Sequence, residues 1–253
     1  MYWNQWEQYY ETIIVEMGVD KKKDELEAIY WNKIVNKAKN SMKIIDDSIS
    51  ETKKRFKTNN VFIFGAGPSL IGHLDMFQKN SYLKKKHVII SSDGATQALI
   101  ENDIVPDIVC SDFDGDMESI IEAGRKESIL FLHAHGDNHN LIEKWFPRIS
   151  QLKYWIPTVQ SKPIPPLIQN YGGFTDGDRA LSLALHFTLP CSIILFGFDF
   201  GNIIGKYSKP YLKNNTLASS FKQKKLQFAK KFITILGGKW YKYHEIIVFS
   251  ERN

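Results

Sequence analysis

Hydrophobic positions follow two kinds of pattern along the chain. Up to residue 58 they recur at steps of three and four: Trp3, Trp6, Tyr10, Ile13, Ile14 and Met17, then Leu26, Tyr30, Ile34, Ala38, Met42, Ile45 and Ile49. That spacing gathers apolar side chains on one helical stripe. It predicts a helix ending at Gly18 and a longer one starting at Asp20, whose stripe lies on the rest of the protein or on a second subunit. From Asn59 the pattern changes. Val61–Phe64, Val88–Ile90, Ile108–Cys110, Ile129–Leu132, Tyr154–Ile156 and Ser192–Phe198 are short, continuously apolar runs. Strands covered on both faces read this way. Helical stretches separate them, which predicts a mostly parallel sheet flanked by helices, an α/β fold. Leu217–Leu236 predicts a last amphipathic helix capped by Gly237-Gly238, and Lys239–Tyr243 with Ile246–Phe249 a short strand pair. The expected units are an N-terminal helical segment (1–58), an α/β domain (59–205) and a basic helix with short strands (206–253).

Nearly every predicted strand ends in Gly, Asp or His. Ligands of open α/β sheets sit outside the carboxyl ends of the strands. Asp93, Asp112, Asp114, His133, His135 and Asp199 are therefore expected on one rim. The densest stretch is Pro106–Asp116, where an apolar run leads into Asp112, Asp114 and Asp116. In an extended chain, positions i and i+2 share a face at roughly 6.5–7 Å. Three carboxylates that close repel one another, and a hard divalent cation relieves this. Mg²⁺ fits because oxygen ligands dominate and thiolates are absent. A calcium loop does not fit, since Met117 and Ala123 stand where it needs Gly and Glu. His133-x-His135-x-Asp137 approaches a zinc-hydrolase pattern, but Asn138 separates Asp137 from His139. Gly65-Ala66-Gly67-Pro68-Ser69-Leu70 forms a strand–turn–helix junction that aims N–H groups at an anion. Leu70 replaces the third glycine of the dinucleotide fingerprint, and no Gly-Lys-Ser/Thr ending follows.

Composition changes the picture in two places. The hydrophobic content of 43% suits a globular core. No apolar run reaches the roughly 20 residues of a membrane span, and no basic segment followed by an apolar one opens the chain. With two cysteines, Cys110 and Cys191, both in apolar runs, a cytoplasmic location is expected. The net charge of +5 hides a segregation: residues 59–200 carry −5 and residues 201–253 carry +9. No aromatic-basic reading motif accompanies these lysines. They are expected on a solvated helix face and not on nucleic acid.

Several phrases together resemble the archaeal 6-hydroxymethyl-7,8-dihydropterin pyrophosphokinase family. They are the Gly65–Leu70 turn, Asp93-Gly94-Ala95, Pro106–Asp116, His133–Asn138, Gly172–Ala180, and Gly197–Gly201 with Gly205–Ser208. More distantly, Ser111–Asp114 and Thr175-Asp176 are similar to motifs of thiamine pyrophosphokinase, with Ser111 and Gly115 replacing its glycine and serine. The resemblance spans about residues 59–240. It implies a Rossmann-like, thiamine-pyrophosphokinase-like catalytic domain with Mg²⁺ as cofactor and ATP as co-substrate. The implied reaction is attack of the pterin hydroxymethyl oxygen on the β-phosphorus of ATP, with AMP leaving. It further implies Asp112, Asp114, Asp176 and Asp116 as metal ligands and Gly65, Gly67, Ser69, Asp93 and Lys206 around the nucleotide. Asp178 and Arg179 would act in catalysis, with Arg179 and Lys206 neutralising phosphate. His133, His135, Asp137 and Asn138 would meet the pterin. Asp93, His135 and Asp178 remain alternatives for a base. A competing resemblance is to motility-accessory glycosyltransferases, which would make the chain a nucleotide-sugar binder. The aromatic N-terminal helices are a candidate homodimer interface.

Overall fold

The computed structural model describes residues 2–57, 60–80, 87–188, 192–240 and 245–249. Three helices come first: α1 (Trp3–Met17), α2 (Lys21–Lys37) and α3 (Ser41–Arg55). Strands and helices then alternate through β1 (Asn60–Phe64), α4 (Leu70–Lys79), β2 (Val88–Ser92), α5 (Asp93–Glu101), β3 (Ile108–Ser111), α6 (Met117–Arg125), β4 (Ile129–Ala134), α7 (His139–Ile149) and β5 (Trp155–Val159). The chain continues with α8 (Asp176–Phe187), β6 (Ser192–Phe196), β7 (Ile203–Ile204), β8 (Thr216–Leu217), α9 (Ser220–Trp240) and β9 (Glu245–Val248).

Seven strands form one parallel sheet in the order β5-β4-β3-β2-β1-β6-β9. Its strands are apolar at consecutive positions because both faces are covered. Val61 and Ile63 of β1 pack with Trp6, Leu181 and Phe232 on the face holding α1, α8 and α9. Phe62 and Phe64 pack with Leu70, Leu74 and Ala98 on the other face, under α4 and α5. Leu130 and Leu132 join Trp31, Ile120 and Ile142 further along that second face.

The chain moves outward from β1 to β5, then returns to lay β6 on the far side of β1. Its direction of travel therefore reverses between β1 and β6. The helices that follow these two strands, α4 and α9, lie on opposite faces of the sheet, the arrangement that places a ligand site at the strand ends.

Two expectations about elements need correction. The run from Asp20 is two helices, broken where Ala38 turns extended and Asn40 takes a left-handed φ of 58°. Its buried face carries Ala28, Trp31, Val35 and Ile45, while Leu26 and Met42 are exposed. Period alone did not fix which stripe is apolar enough to pack, and the large Trp31 ring decides it. The described C-terminal residues do not follow the predicted strand pair either. Helix α9 continues through Gly237-Gly238 to Trp240, and β9 joins the main sheet parallel to β6. The antiparallel pair of the fold is β7 with β8. Residues 241–243 of that predicted pair, and Cys191, lie outside the described residues.

Candidate active site

The β1 turn is tied to the β6 turn. Gly65 N–H donates to Phe196 O, and Gly67 N–H to Gly197 O at 2.9 Å. A Cβ on Gly67 would come within 2.6 Å of Gly197 O and collide with the Asp199 carboxylate. Only glycine lets the two turns approach so closely. Asp199 Oδ2 accepts from both the N–H (3.0 Å) and the hydroxyl (2.7 Å) of Ser69. The Ser69 donors expected for the nucleotide are thus engaged within the protein.

Carboxylates gather beside this turn. Asp93, at the start of α5, and Asp112 and Asp114, after β3, each place one oxygen within 4.8 Å of the others. The Asp112–Asp114 pair does not come from regular strand alternation. β3 ends at Ser111, and Phe113 adopts φ 70° with its N–H donating to Ser111 Oγ at 3.0 Å. A left-handed non-glycine residue costs about 1–3 kcal/mol. Here it sends the Phe113 ring against Trp31 and leaves both acids at the rim. Gly115 completes the loop, since a Cβ there would lie 2.6 Å from Asp93 Oδ2.

Neither Asp93 oxygen has a hydrogen-bond partner of ordinary geometry. Burial, then the charges of Asp112, Asp176 and Asp114, push its carboxyl well above the usual range. Asp176, at the first turn of α8, is pushed up to about 7 by burial and by Asp112 and Asp114, against the pull of Arg179. Burial would raise Asp112 as well. The His135 ring, 3.5 Å away, and the cations Arg179 and Lys209 outweigh it and hold Asp112 well below that range. A buried cluster in which one acid is left unpaired and two are forced toward protonation lacks positive charge.

Three lysines face these acids. Lys209 Nζ pairs with Asp114, and Lys222 and Lys225 of α9 line the same cleft. The cleft is open to solvent and is bounded by Gly65–Gly67, the acids, Phe198 and Phe200. Burial, then Lys225 and Lys209, push the Lys222 ammonium down. This wall asks for an anion as clearly as the opposite wall asks for a cation.

The sequence relationships are decisive at this point. The family described as 6-hydroxymethylpterin diphosphokinase MptE-like matches residues 35–205. The 6-hydroxymethyl-7,8-dihydropterin pyrophosphokinase of Methanocaldococcus jannaschii is 40% identical over 93% of this chain and 95% of its own. The protein of the same name from Pyrococcus furiosus is 37% identical over 92% and 93%. The chain belongs to the MptE-like family. Among solved structures, thiamine pyrophosphokinase from Bacillus subtilis is similar over 76% of this chain and 61% of its own, at 18% identity and a TM-score of 0.36.

In this MptE-like chain several of the expected residues stand apart from the acid trio. Asp116 Oδ1 caps α6, accepting from Glu118 N–H and Ser119 N–H. Asp178 is fully buried. Its oxygens accept from Phe174 N–H (2.8 Å), Thr175 N–H (2.7 Å) and the Thr175 hydroxyl, which fixes the start of α8. Arg179 donates through Nη1 to Asp176 Oδ1 at 2.9 Å and through Nη2 to Gln160 Oε1 at 3.0 Å. Lys206 is exposed over the Tyr207 ring and outside the cleft lining, where Lys209 stands instead. Asp137 is exposed. The Asn138 amide is consumed by Asp112 O, His133 O and His135 N–H, so it shapes the β4 loop. His133 is buried on Thr158.

Sequence reasoning missed Lys209, Lys222 and Lys225 in the cleft. It also placed Asp93 with the nucleotide and not with the metal-type acids. The +9 charge of the C-terminal stretch was the available signal for the lysines. Among the described residues, no helix is long and apolar enough to cross a membrane.

Proposed function

We propose that this chain is a 6-hydroxymethyl-7,8-dihydropterin pyrophosphokinase, transferring diphosphate from ATP to the hydroxymethyl oxygen of the pterin and releasing AMP. Family membership and relatives of that name at 37–40% identity over nearly the whole chain support the activity. One observation carries the chemistry. A trio of acids, one with no internal partner, faces three lysines across a single cleft at the point where strand order reverses. A metal-bound triphosphate presents both charges this cleft lacks.

Asp93, Asp112 and Asp114 suit a hard cation, because their donors are all carboxylate oxygens and their repulsion is otherwise uncompensated. Held by these three carboxylates, Mg²⁺ would supply positive charge to offset the charge that develops as diphosphate is transferred. The protein's own groups do the positioning. Lys222 and Lys225 bind phosphate oxygens from the α9 side, and Lys209 exchanges Asp114 for phosphate as the nucleotide enters. The Gly65–Gly67 turn borders the same space, its Gly65 and Gly67 N–H groups already donated to Phe196 O and Gly197 O. Arg179, anchored by Asp176 and Gln160, holds a fixed positive charge beside Asp112, 3.9 Å away. Holding alcohol and β-phosphorus in line supplies much of the rate in such transfers. Asp178 is too fully hydrogen-bonded to act as a base. His135 turns Nε2 toward Asp112 and accepts Asp137 N–H on Nδ1, so it serves to hold Asp112 ionised.

The test is a product assay with ATP, Mg²⁺ and 6-hydroxymethyl-7,8-dihydropterin. AMP should appear in step with pterin diphosphate. Formation of ADP, or absence of nucleotide turnover, rejects the reading.

A further inference from the structure

Asp24 is a buried acid of α2 that does not line the cleft. Its two oxygens accept from three separate parts of the chain. Oδ1 accepts from Gly136 N–H at 2.8 Å. Oδ2 accepts from Tyr10 Oη at 2.9 Å and from Gln160 Nε2 at 3.1 Å. The fit around it is close. A Cβ on Gly136 would lie 2.5 Å from Lys23 Cβ and 3.0 Å from Lys23 C, so only glycine seats this loop on α2.

Two of these three bonds lead toward Asp112. Gly136 follows His135, whose Nε2 stands 3.5 Å from Asp112 Oδ2. Gln160 follows β5, and its Oε1 accepts from Arg179 Nη2 at 3.0 Å. Arg179 Nη1 lies 3.9 Å from the same Asp112 Oδ2. Both side chains at this oxygen are therefore located from one carboxylate. Asp112 Oδ1 is buried and has no hydrogen-bond partner among the described residues.

Hydrogen-bond accounting fixes the Gln160 amide. With three donors on it, Asp24 serves only as an acceptor, and a guanidinium can only donate. Nε2 must face Asp24 and Oε1 must face Arg179. The relay thus has a direction, and reversing the amide puts two donors face to face at Arg179.

We infer that Asp24 is a positioning residue for the diphosphate transfer: through Gln160 and Gly136 it places Arg179 and His135 beside Asp112 Oδ2, and so keeps Asp112 Oδ1 free for the cation. The inference rests on the proposed function. It gives the N-terminal helices a part in the reaction without contact with substrate.

The experiment uses the full-length protein, with folding of each variant checked by circular dichroism. It reads kcat, the KM for ATP, and the nuclear magnetic resonance signal of Arg179 Nε–H, assigned by its loss in Arg179→Lys. Asp24→Asn keeps the shape but turns an N–H group either on Gly136 N–H or on Gln160 Nε2. It should lower kcat by about tenfold, leave the ATP KM within about twofold, and shift the Arg179 signal. Gln160→Glu alone sets two carboxylates face to face and should also lower kcat. In Asp24→Asn with Gln160→Glu, the new carboxylate accepts from both the introduced amide and Arg179. Both kcat and the signal should return most of the way to wild type, a coupling that independent packing losses do not produce. Tyr10→Phe removes the third bond and touches neither arm. It should lower the melting temperature and leave kcat within about twofold. The proposal is overturned by an unchanged kcat or an unmoved Arg179 signal in Asp24→Asn, by no recovery in the double variant, or by an equal kcat loss in Tyr10→Phe. Turnover by the wild-type protein keeps the activity standing in each of these cases. If the wild-type protein forms no pterin diphosphate, the activity itself fails and the Arg179 signal decides the relay. A signal displaced by Asp24→Asn and restored in the double variant supports it, and any other pattern rejects it. Should Asp24→Asn not fold, Gln160→Met, which removes both relay bonds without adding charge, takes its place: a lowered kcat with a shifted signal supports the relay, and either one unchanged overturns it.

Discussion

At the scale of single residues, Asp93 is the most consequential side chain of the site. It is buried, without a partner, and next to two further carboxylates. Replacing it should act in opposite directions on stability and on activity. Asp93→Asn removes a buried repulsion, so the metal-free protein should melt at a higher temperature. The same change should lower Mg²⁺-dependent turnover by about 100-fold or more, as loss of one charge-stabilising group does. A variant with both properties unchanged would remove Asp93 from the site. Gly115→Ala tests the same carboxylate from outside. Its Cβ would meet Asp93 Oδ2 at 2.6 Å. Weakened metal binding by calorimetry with a native far-ultraviolet spectrum is the expected outcome. The acids and glycines were legible in the sequence as types, because carboxylates at strand ends are costly without a ligand. Their grouping was not. Asp116 and Asp178 bear the same side chain as Asp93 but use it on the first turns of α6 and α8, and only backbone direction separates these uses.

At the scale of elements, α9 shows how a helix acquires a role from its neighbours. Its apolar side packs Ala229, Phe232, Ile233 and Leu236 into the fold, as the periodicity predicts. Two lysines of its polar side, Lys222 and Lys225, then fall over the acid wall and not in open solvent. Lys222→Ala with Lys225→Ala should raise the ATP KM by about tenfold, leave the pterin KM unchanged, and flatten the salt dependence of ATP binding. Unchanged ATP kinetics would return these lysines to the solvated face the sequence alone suggested. Helices α1 and α2 are similarly recast. Their stripe is packing, but Asp24 is buried and accepts from Tyr10 Oη (2.9 Å), Gly136 N–H (2.8 Å) and Gln160 Nε2 (3.1 Å). Gln160 in turn holds Arg179. The N-terminal helices thereby brace the guanidinium beside the acids across more than 130 residues of sequence.

For the whole molecule, the charge distribution couples stability to pH and to metal. Asp176 titrates near 7 in the folded protein against an ordinary value of 3.8, and Asp93 is raised as well. These two carboxyls keep protons in the folded state that the unfolded state has lost, whereas His133 and His186, pushed down by burial, bind fewer, an opposing effect that fades above about pH 6.5. Between about pH 6 and 8 the carboxyls dominate, and the stability of the metal-free protein should fall as pH rises. A cation at the acid trio opposes this by stabilising the ionised forms. Melting temperatures without metal should be higher at pH 6 than at pH 8. Added Mg²⁺ should raise the value at pH 8 more than at pH 6. A metal-free melting temperature that climbs from pH 6 to pH 8 would contradict the protonation assigned to these carboxyls.

The order of strands and helices, the parallel sheet and the carboxylate-rich rim are present in the linear chain, because burial periodicity and strand-end chemistry are local properties. Which residues share the rim's interior is not local. The left-handed turn at Phe113, the approach of Gly67 to Gly197, the delivery of Lys209, Lys222 and Lys225 from the last fifth of the chain, and the addition of β9 to the sheet all depend on contacts between distant segments. Charge acts through space, and space is assigned only when the sheet closes.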